Sequence, residues 1–168
     1  MKTILLLSDT HGYLDDTILK HAQQCDEIWH AGDWGTIEVS DKLSEITKLR
    51  GVYGNIDGDI IRKVHPLHNR FKCEEVDVWI THIAGYPGKY NPNIRQAVHD
   101  NPPDLLIAGH SHILKVMRDP RLNNMLFINP GATGIKGFHK KRTMVRFKID
   151  GKRIYDMAVI ELKHTPRV

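Results

Sequence analysis

The sequence predicts an α/β layered fold, and three observations carry that prediction. Short apolar runs alternate with segments at helical spacing through the first two-thirds of the chain, the pattern of strands covered by helices. Five of those runs stop at Asp, His or Asn. Beyond residue 114 the apolar runs follow one another without helical segments between them, as antiparallel strands do.

Ile4–Leu7 is a continuous apolar run, expected of a strand covered on both faces. Leu14 to Gln24 reads as a helix with Asp15 and Asp16 in its first turn, where acidic groups suit the helix dipole. Glu27–Ala31 reads as a second strand, ended by Gly32-Asp33. Ile37, Leu43, Ile46 and Leu49 fall near helical spacing, so a helix is expected over 37–49 with Gly51 as its stop. A short third strand is expected over Gly51–Gly54, and strands over Lys63–Cys73 and Val76–Thr81 with a turn at Glu74-Glu75. Ile83 to Pro92 reads as loop, Asn93–Asp100 as a short helix and Leu105–Ala108 as a buried strand. The runs at 114–118, 125–128, 143–149 and 153–161 predict antiparallel strands, the last two joined at Asp150-Gly151.

Length and composition narrow the functional class. At 168 residues, 40% apolar and 26% charged, the chain suits one soluble domain spanning 1–168 with a core that needs no disulfides. Cys25 and Cys73 stand in unrelated contexts and read as buried small residues. The opening apolar run stops at four residues, short of the roughly 7–15 of a secretory leader, and no run reaches the roughly 18 of a membrane span. A cytoplasmic protein with no membrane partner is expected. Net charge is +4 but uneven: residues 115–168 carry 13 Lys/Arg against 4 Asp/Glu. That asymmetry fits either affinity for polyanions or solvated hairpin faces.

The chemistry lies where the strands stop. Asp9-Thr10-His11, Gly32-Asp33, Gly54-Asn55, His82 and Gly109-His110-Ser111-His112 each follow an apolar run, and α/β sheets gather ligands at the carboxyl ends of strands. Asp9 and His11, like His110 and His112, are two apart; in an extended segment each pair points to one side. The glycines before Asp33, Asn55 and His110 permit tight turns and unusual φ. Four imidazoles, two carboxylates and one amide form a donor set for Zn, Fe, Ni or Mn rather than Mg or Ca. No Gly-x-Ser-x-Gly elbow offers a protein nucleophile.

In that order and spacing, the set resembles the signature of the calcineurin-like metallophosphoesterases. The Ser8-Asp9-Thr10-His11-Gly12 opening and Asn129-Pro130-Gly131-Ala132 resemble their small bacterial and archaeal phosphodiesterase branch. The resemblance implies a four-layer α/β/β/α sandwich of two mixed β-sheets flanked by helices. It implies two divalent transition metals, Mn, Fe, Zn or Ni with Mn favoured. Asp9, His11 and His112 would hold one, Asn55, His82 and His110 the other, with Asp33 between them. The implied activity is phosphoester hydrolysis by a water shared between two cations, with Asn55 also contacting the phosphate.

One position departs from the pattern. Phosphatases of this family carry His after the Asn, to protonate the leaving oxygen; this chain has Ile56, then Asp57. The general acid is therefore unknown, with Asp57 as a substitute only if it holds a proton. Ile56 favours a phosphodiesterase over a phosphomonoesterase. A nuclease and a protein-binding scaffold, as in the retromer subunit of this fold, are the alternatives. The expected partner is a small phosphate ester, nucleotide-like by one reading, and a homodimer is compatible with the resemblance. Trp34 either shapes the substrate mouth or anchors the core. Tyr86, Lys89 and Tyr90 are placed to touch substrate, and Gly137–Arg142 either attracts phosphate or forms a basic turn. His21, His30, His65, His68 and His99 read as packed or surface residues, four of them alternatively lining the pocket.

Overall fold

Parallel pairing of the first three strands sets the frame. The computed structural model describes residues 1–163. β1 (Lys2–Leu7), β2 (Glu27–His30) and β3 (Lys48–Gly51) run parallel, joined by α1 (Asp16–Gln23) and α2 (Ile37–Ile46). After α3 (Asp59–Val64), β4 (His68–Cys73) turns into antiparallel β5 (Val76–Thr81). A small hairpin of β6 (Gly85–Tyr86) and β7 (Lys89–Tyr90) precedes α4 (Pro92–Asp100) and β8 (Leu105–Ile107). β9 (Leu114–Asp119), β10 (Met125–Pro130), β11 (Arg142–Asp150) and β12 (Arg153–Leu162) follow.

The strands form two five-stranded sheets, ordered β12-β11-β1-β2-β3 and β4-β5-β8-β10-β9. Both are mixed. β11 lies antiparallel to β1 in the first, and β10 pairs parallel with β8 but antiparallel with β9 in the second. The period of two in β1 assigns the layers. Ile4 and Leu6 pack with Val78, Ile80, Ile107 and Ile128 between the sheets. Leu5 and Leu7 instead meet Ile18, Ala22, Val39, Leu43 and Ile61 of the first three helices. On the far side, Ile94 and Val98 of α4 cover Trp79, Leu106 and Phe127. The result is the α/β/β/α order. Cys25 and Cys73 are buried and unbridged, and burial pushes both thiols up to about 11.

Three expected elements move. The helix predicted over 37–49 ends at Ile46. Thr47 is extended and donates through Oγ1 to Asp26 O at 2.7 Å, and Leu49 pairs with Ile28 in β3. Gly51 therefore ends a strand, and the strand predicted over 51–54 lies three residues earlier. The strand predicted from Lys63 begins only at His68, because α3 occupies Asp59–Val64. α3 left little trace in the sequence: Gly58 supplies no side-chain cap, and Ile60 and Val64 are exposed while Ile61 alone is buried. The segment 83–92, expected as loop, holds the β6–β7 hairpin. No helix among the described residues is long and apolar enough to cross a membrane.

Candidate metal centre

The loops after β1, β2, β3, β5 and β8 deliver their side chains to one place. Ligand atoms of Asp9, His11 and His112 lie within 4.8 Å of one another, as do those of Asp33, His82 and His110. Asn55 joins the second group: its Oδ1 stands 3.0 Å from His82 Nε2 and 3.0 Å from His110 Nδ1. All seven sequence-predicted residues thus come together, and His110 and His112, two apart in sequence, divide between the two groups.

The backbone achieves this in a way the spacing did not anticipate. The pairs at 9/11 and 110/112 are not extended. Asp9, His11, Asp33, His110 and His112 adopt φ of 52°, 46°, 59°, 70° and 61°. They are five of the nine non-glycine residues with positive φ among those described. Asp and His tolerate this region better than most side chains, yet each costs on the order of 1–3 kcal/mol and persists only where its surroundings fix it. Cross-loop bonds do so here: Asp9 N donates to Gly32 O, His11 N to Asp33 O and Gly109 N to His82 O, at 2.9–3.1 Å.

The preceding glycines act for different reasons. Gly32 has φ of 100°, as expected. Gly54 and Gly109 are there for space. A Cβ on Gly54 would stand 2.0 Å from Asp33 Oδ1 and 2.3 Å from Asp33 N; one on Gly109, 2.2 Å from Ser8 Oγ. Gly54→Ala should therefore displace Asp33, lowering metal affinity at least about tenfold by disturbing a ligand's support. Overpacking should cost about 1–3 kcal/mol of stability. Metal titration and thermal melting check both, and unchanged binding would contradict the steric account.

Each carboxylate has one oxygen tied down and one presented. Asp9 Oδ2 accepts from Ser8 Oγ at 2.6 Å and His110 N at 3.1 Å, leaving Oδ1 toward His112 Nε2 at 3.1 Å. Asp33 Oδ1 accepts from Ile56 N at 3.1 Å, leaving Oδ2 toward His82 Nε2 at 3.2 Å and His11 Nε2 at 3.6 Å. Ser8, met in the sequence only as part of the opening motif, is a support for Asp9. Asn129 is another: its Nδ2 donates to Gly109 O at 2.9 Å and Ser111 Oγ at 3.1 Å, bracing the histidine loop. A polar residue closing a buried apolar strand was the available signal for both.

The site also fits a cation through what it lacks. His11 Nε2 is buried without a hydrogen-bond partner among the described residues, and both carboxylates facing it are too far to accept one, at 3.6 and 3.8 Å. Because a carbonyl only accepts, His82 Nδ1 must donate to Ala31 O at 2.7 Å. In the neutral ring its Nε2 lone pair then faces the oxygens of Asn55 and Asp33, an arrangement that calls for a positive charge between them. Fixing the second ring nitrogen in this way is how proteins orient metal-binding imidazoles.

Electrostatics agrees. Burial opposes charge on Asp9, but the His11 and His112 imidazoles beside it hold it well below the usual carboxylate range. The bond to Asp9 raises His112 above its ordinary value; burial opposes charge on His82, but Asp33 and Asp9 together raise it. Burial lowers His110. Without metal, His82 and His112 thus keep protons to higher pH than a free imidazole, and a cation must displace them. Metal affinity should fall as pH drops from about 7.5 to 5.5, by about tenfold per unit for each proton released. Chelator-competition titrations check this, and a flat profile would rule out imidazole ligands.

The remaining candidates separate. Asp57 is a support: its carboxylate accepts from Trp34 N, Gly35 N and Gly54 N at 2.8–3.2 Å and locks the loops that carry Asp33 and Asn55. Trp34 is a core anchor, buried and stacked between His30 and His65 with ring centroids at 3.7 and 4.2 Å. His30 is fixed by Thr10 and Gly32. His65 bonds Ser40, and burial pushes it down to about 4. His68 bonds Thr81, His99 is exposed on α4 and His21 sits on α1. Arg142 is buried against Thr133 O and Asp15, so it belongs to the fold rather than to a basic patch. His139 of the same segment stands edge-on to His112 at 5.1 Å. Tyr86, Lys89 and Tyr90 line a cleft of about 560 Å³ that reaches His110.

The family model for the calcineurin-like phosphoesterase superfamily domain matches residues 1–152, and the chain belongs to that superfamily. It is 25% identical over 154 residues to a probable metallophosphoesterase of Methanothermobacter thermautotrophicus, covering 89% of this chain and 87% of that one. Vps29 from Entamoeba histolytica, solved in complex with zinc, superposes with a TM-score of 0.73 at 14% identity, over 95% of this chain and 98% of that one. An archaeal phosphodiesterase superposes at 0.70 and 19% identity, over 95% and 99%. At those identities the two structures speak to the fold.

Proposed function

We propose that this member of the calcineurin-like phosphoesterase superfamily is a two-metal phosphoesterase that prefers diesters. The observation that carries the reading is the pair of adjacent ligand groups, Asp9–His11–His112 and Asp33–His82–His110 with Asn55 beside the second. Asp33 Oδ2 faces ring nitrogens of both groups, which supports a role for that carboxylate in both. Mn, Fe, Zn and Ni all suit imidazole with carboxylate; Mn is our choice. A pair bound there supplies Lewis-acid charge for a phosphoryl group and a water acidified toward neutral pH.

The chain's own residues do the rest. With Oδ1 turned to His82 and His110, the Asn55 amide keeps its N–H groups to donate to a phosphoryl oxygen. Ser8, Ala31 and Asn129 hold Asp9, His82 and the histidine loop in place before substrate arrives. Ile56 offers no proton to the leaving oxygen. General acid catalysis is worth about 10²–10⁴-fold, so esters with poor leaving groups lose most.

The Zn-bound Vps29 neighbour keeps a second reading in view, a protein-binding scaffold of the same fold. The test is a hydrolysis screen of protein stripped and reloaded with Mn, Fe, Zn or Ni, against bis-p-nitrophenyl phosphate and p-nitrophenyl phosphate. Metal-dependent cleavage favouring the diester is expected. Faster monoester cleavage would overturn the preference, and metal binding without cleavage of either ester would favour the scaffold.

A further inference from the structure

We propose that the cleft beside His110 seats one arm of the ester, and that this arm is a flat ring carrying its own anion, as a nucleotide does. The proposal rests on the phosphoesterase reading above, which puts the scissile phosphorus at the His110 end. At about 560 Å³ the cleft has the size of a small-molecule site. Gly109, His110 and Ser111 form one wall; the β6–β7 hairpin and the start of α4 form the other, over Phe127. A group leaving the metal centre past His110 enters it directly.

Charge and shape select the occupant. Lys89, Arg95 and Lys115 line the cleft and no carboxylate does. Composition does not account for Lys89 and Arg95, since acids outnumber bases over residues 1–114, by 16 to 11; Lys115 opens the basic segment 115–168. Asp119 shares an adjoining hollow with Lys89 and Arg95; within the cleft itself an anionic arm is the group that would meet all three cations. The α4 N-terminus, opening at Asn91 and Pro92, adds positive potential of the same sign. Arg95 is braced by Tyr90 O at 3.2 Å, and the Tyr90 hydroxyl is tied to Asp119 at 2.6 Å, so that wall is fixed before a ligand arrives. Ile83, Pro92, Ile113 and Phe127 give the cleft apolar surface beside the cations, and Tyr86, 41% exposed, offers a ring already held at 4.1 Å from the Lys115 ammonium. A planar group stacks there with its anion within the field of the three cations.

Calorimetric titration of the full chain tests this, with Mn²⁺ added and with EDTA, using adenosine 5′-monophosphate, adenosine and inorganic phosphate as probes. In EDTA the monophosphate should bind at least tenfold more tightly than adenosine or phosphate, and more weakly as salt is raised. Arg95→Met with Lys115→Met should cost at least tenfold, and Lys89→Glu alone should weaken the same probe. The ratio of kcat/KM for a diester with a charged arm to that for bis-p-nitrophenyl phosphate should fall at least tenfold in the double variant. Equal affinity for the three probes, or monophosphate binding indifferent to these substitutions, would overturn the proposal. Diester cleavage without monophosphate binding would overturn the cleft assignment alone. Monophosphate binding without any ester cleavage would support the cleft and remove the phosphoesterase reading.

Discussion

Asp33→Ala should reduce metal-dependent diester hydrolysis at least about 10³-fold. Asp33 is the side chain with imidazoles of both groups within 3.6 Å, His82 at 3.2 Å and His11 at 3.6 Å. Removing it takes a carboxylate from between two clusters whose other members are mostly neutral when they bind metal. Lewis-acid stabilisation is worth several kcal/mol, and about 4 kcal/mol corresponds to roughly 10³ in rate. The lost bond to Ile56 N also loosens the loop that carries Asn55. Metal content measured beside turnover separates the causes. The account expects fewer than two ions per chain together with the rate loss; full occupancy with unchanged turnover would contradict it.

Ile56→His should raise hydrolysis of esters with poor leaving groups by about 10²-fold, the lower end of what a general acid supplies. The position suits the change. Ile56 N is anchored on Asp33 Oδ1 at 3.1 Å, so residue 56 stands beside the candidate centre, while its side chain is 48% exposed and its replacement disturbs no core. Diphenyl phosphate should gain far more than bis-p-nitrophenyl phosphate, whose leaving group needs little help. The rate should also acquire a decline at high pH as the new imidazole loses its proton. Equal gains for both esters, or none for either, would show that residue 56 does not reach the leaving oxygen.

The sequence disclosed the site more fully than it disclosed the conformation that builds it. Asp9, His11, Asp33, Asn55, His82, His110 and His112 were legible because each follows an apolar strand, and parallel strands present their carboxyl ends together. Positive φ at five of them was not legible: it is imposed by bonds between loops distant in sequence, such as Asp9 N to Gly32 O. The glycines were visible but misread at 54 and 109, because close approach to Asp33 and Ser8 leaves no mark on local sequence. Helix and strand limits failed where tertiary pairing overrode spacing. Leu49 fits a helical period yet pairs with Ile28, and α3 is too short to show one. Asp57 invited a chemical role from its place after Ile56; only its three backbone donors show it to be structural.

The most direct test of the two-metal claim is occupancy at the atomic level. Crystals of the full chain grown with Mn²⁺ and measured across the Mn absorption edge would locate the ions. The account predicts two anomalous peaks, one among Asp9, His11 and His112 and one among Asp33, Asn55, His82 and His110, with the second ion lost or displaced in His110→Ala. No peak at either group under saturating Mn²⁺, Zn²⁺ or Ni²⁺ would contradict it.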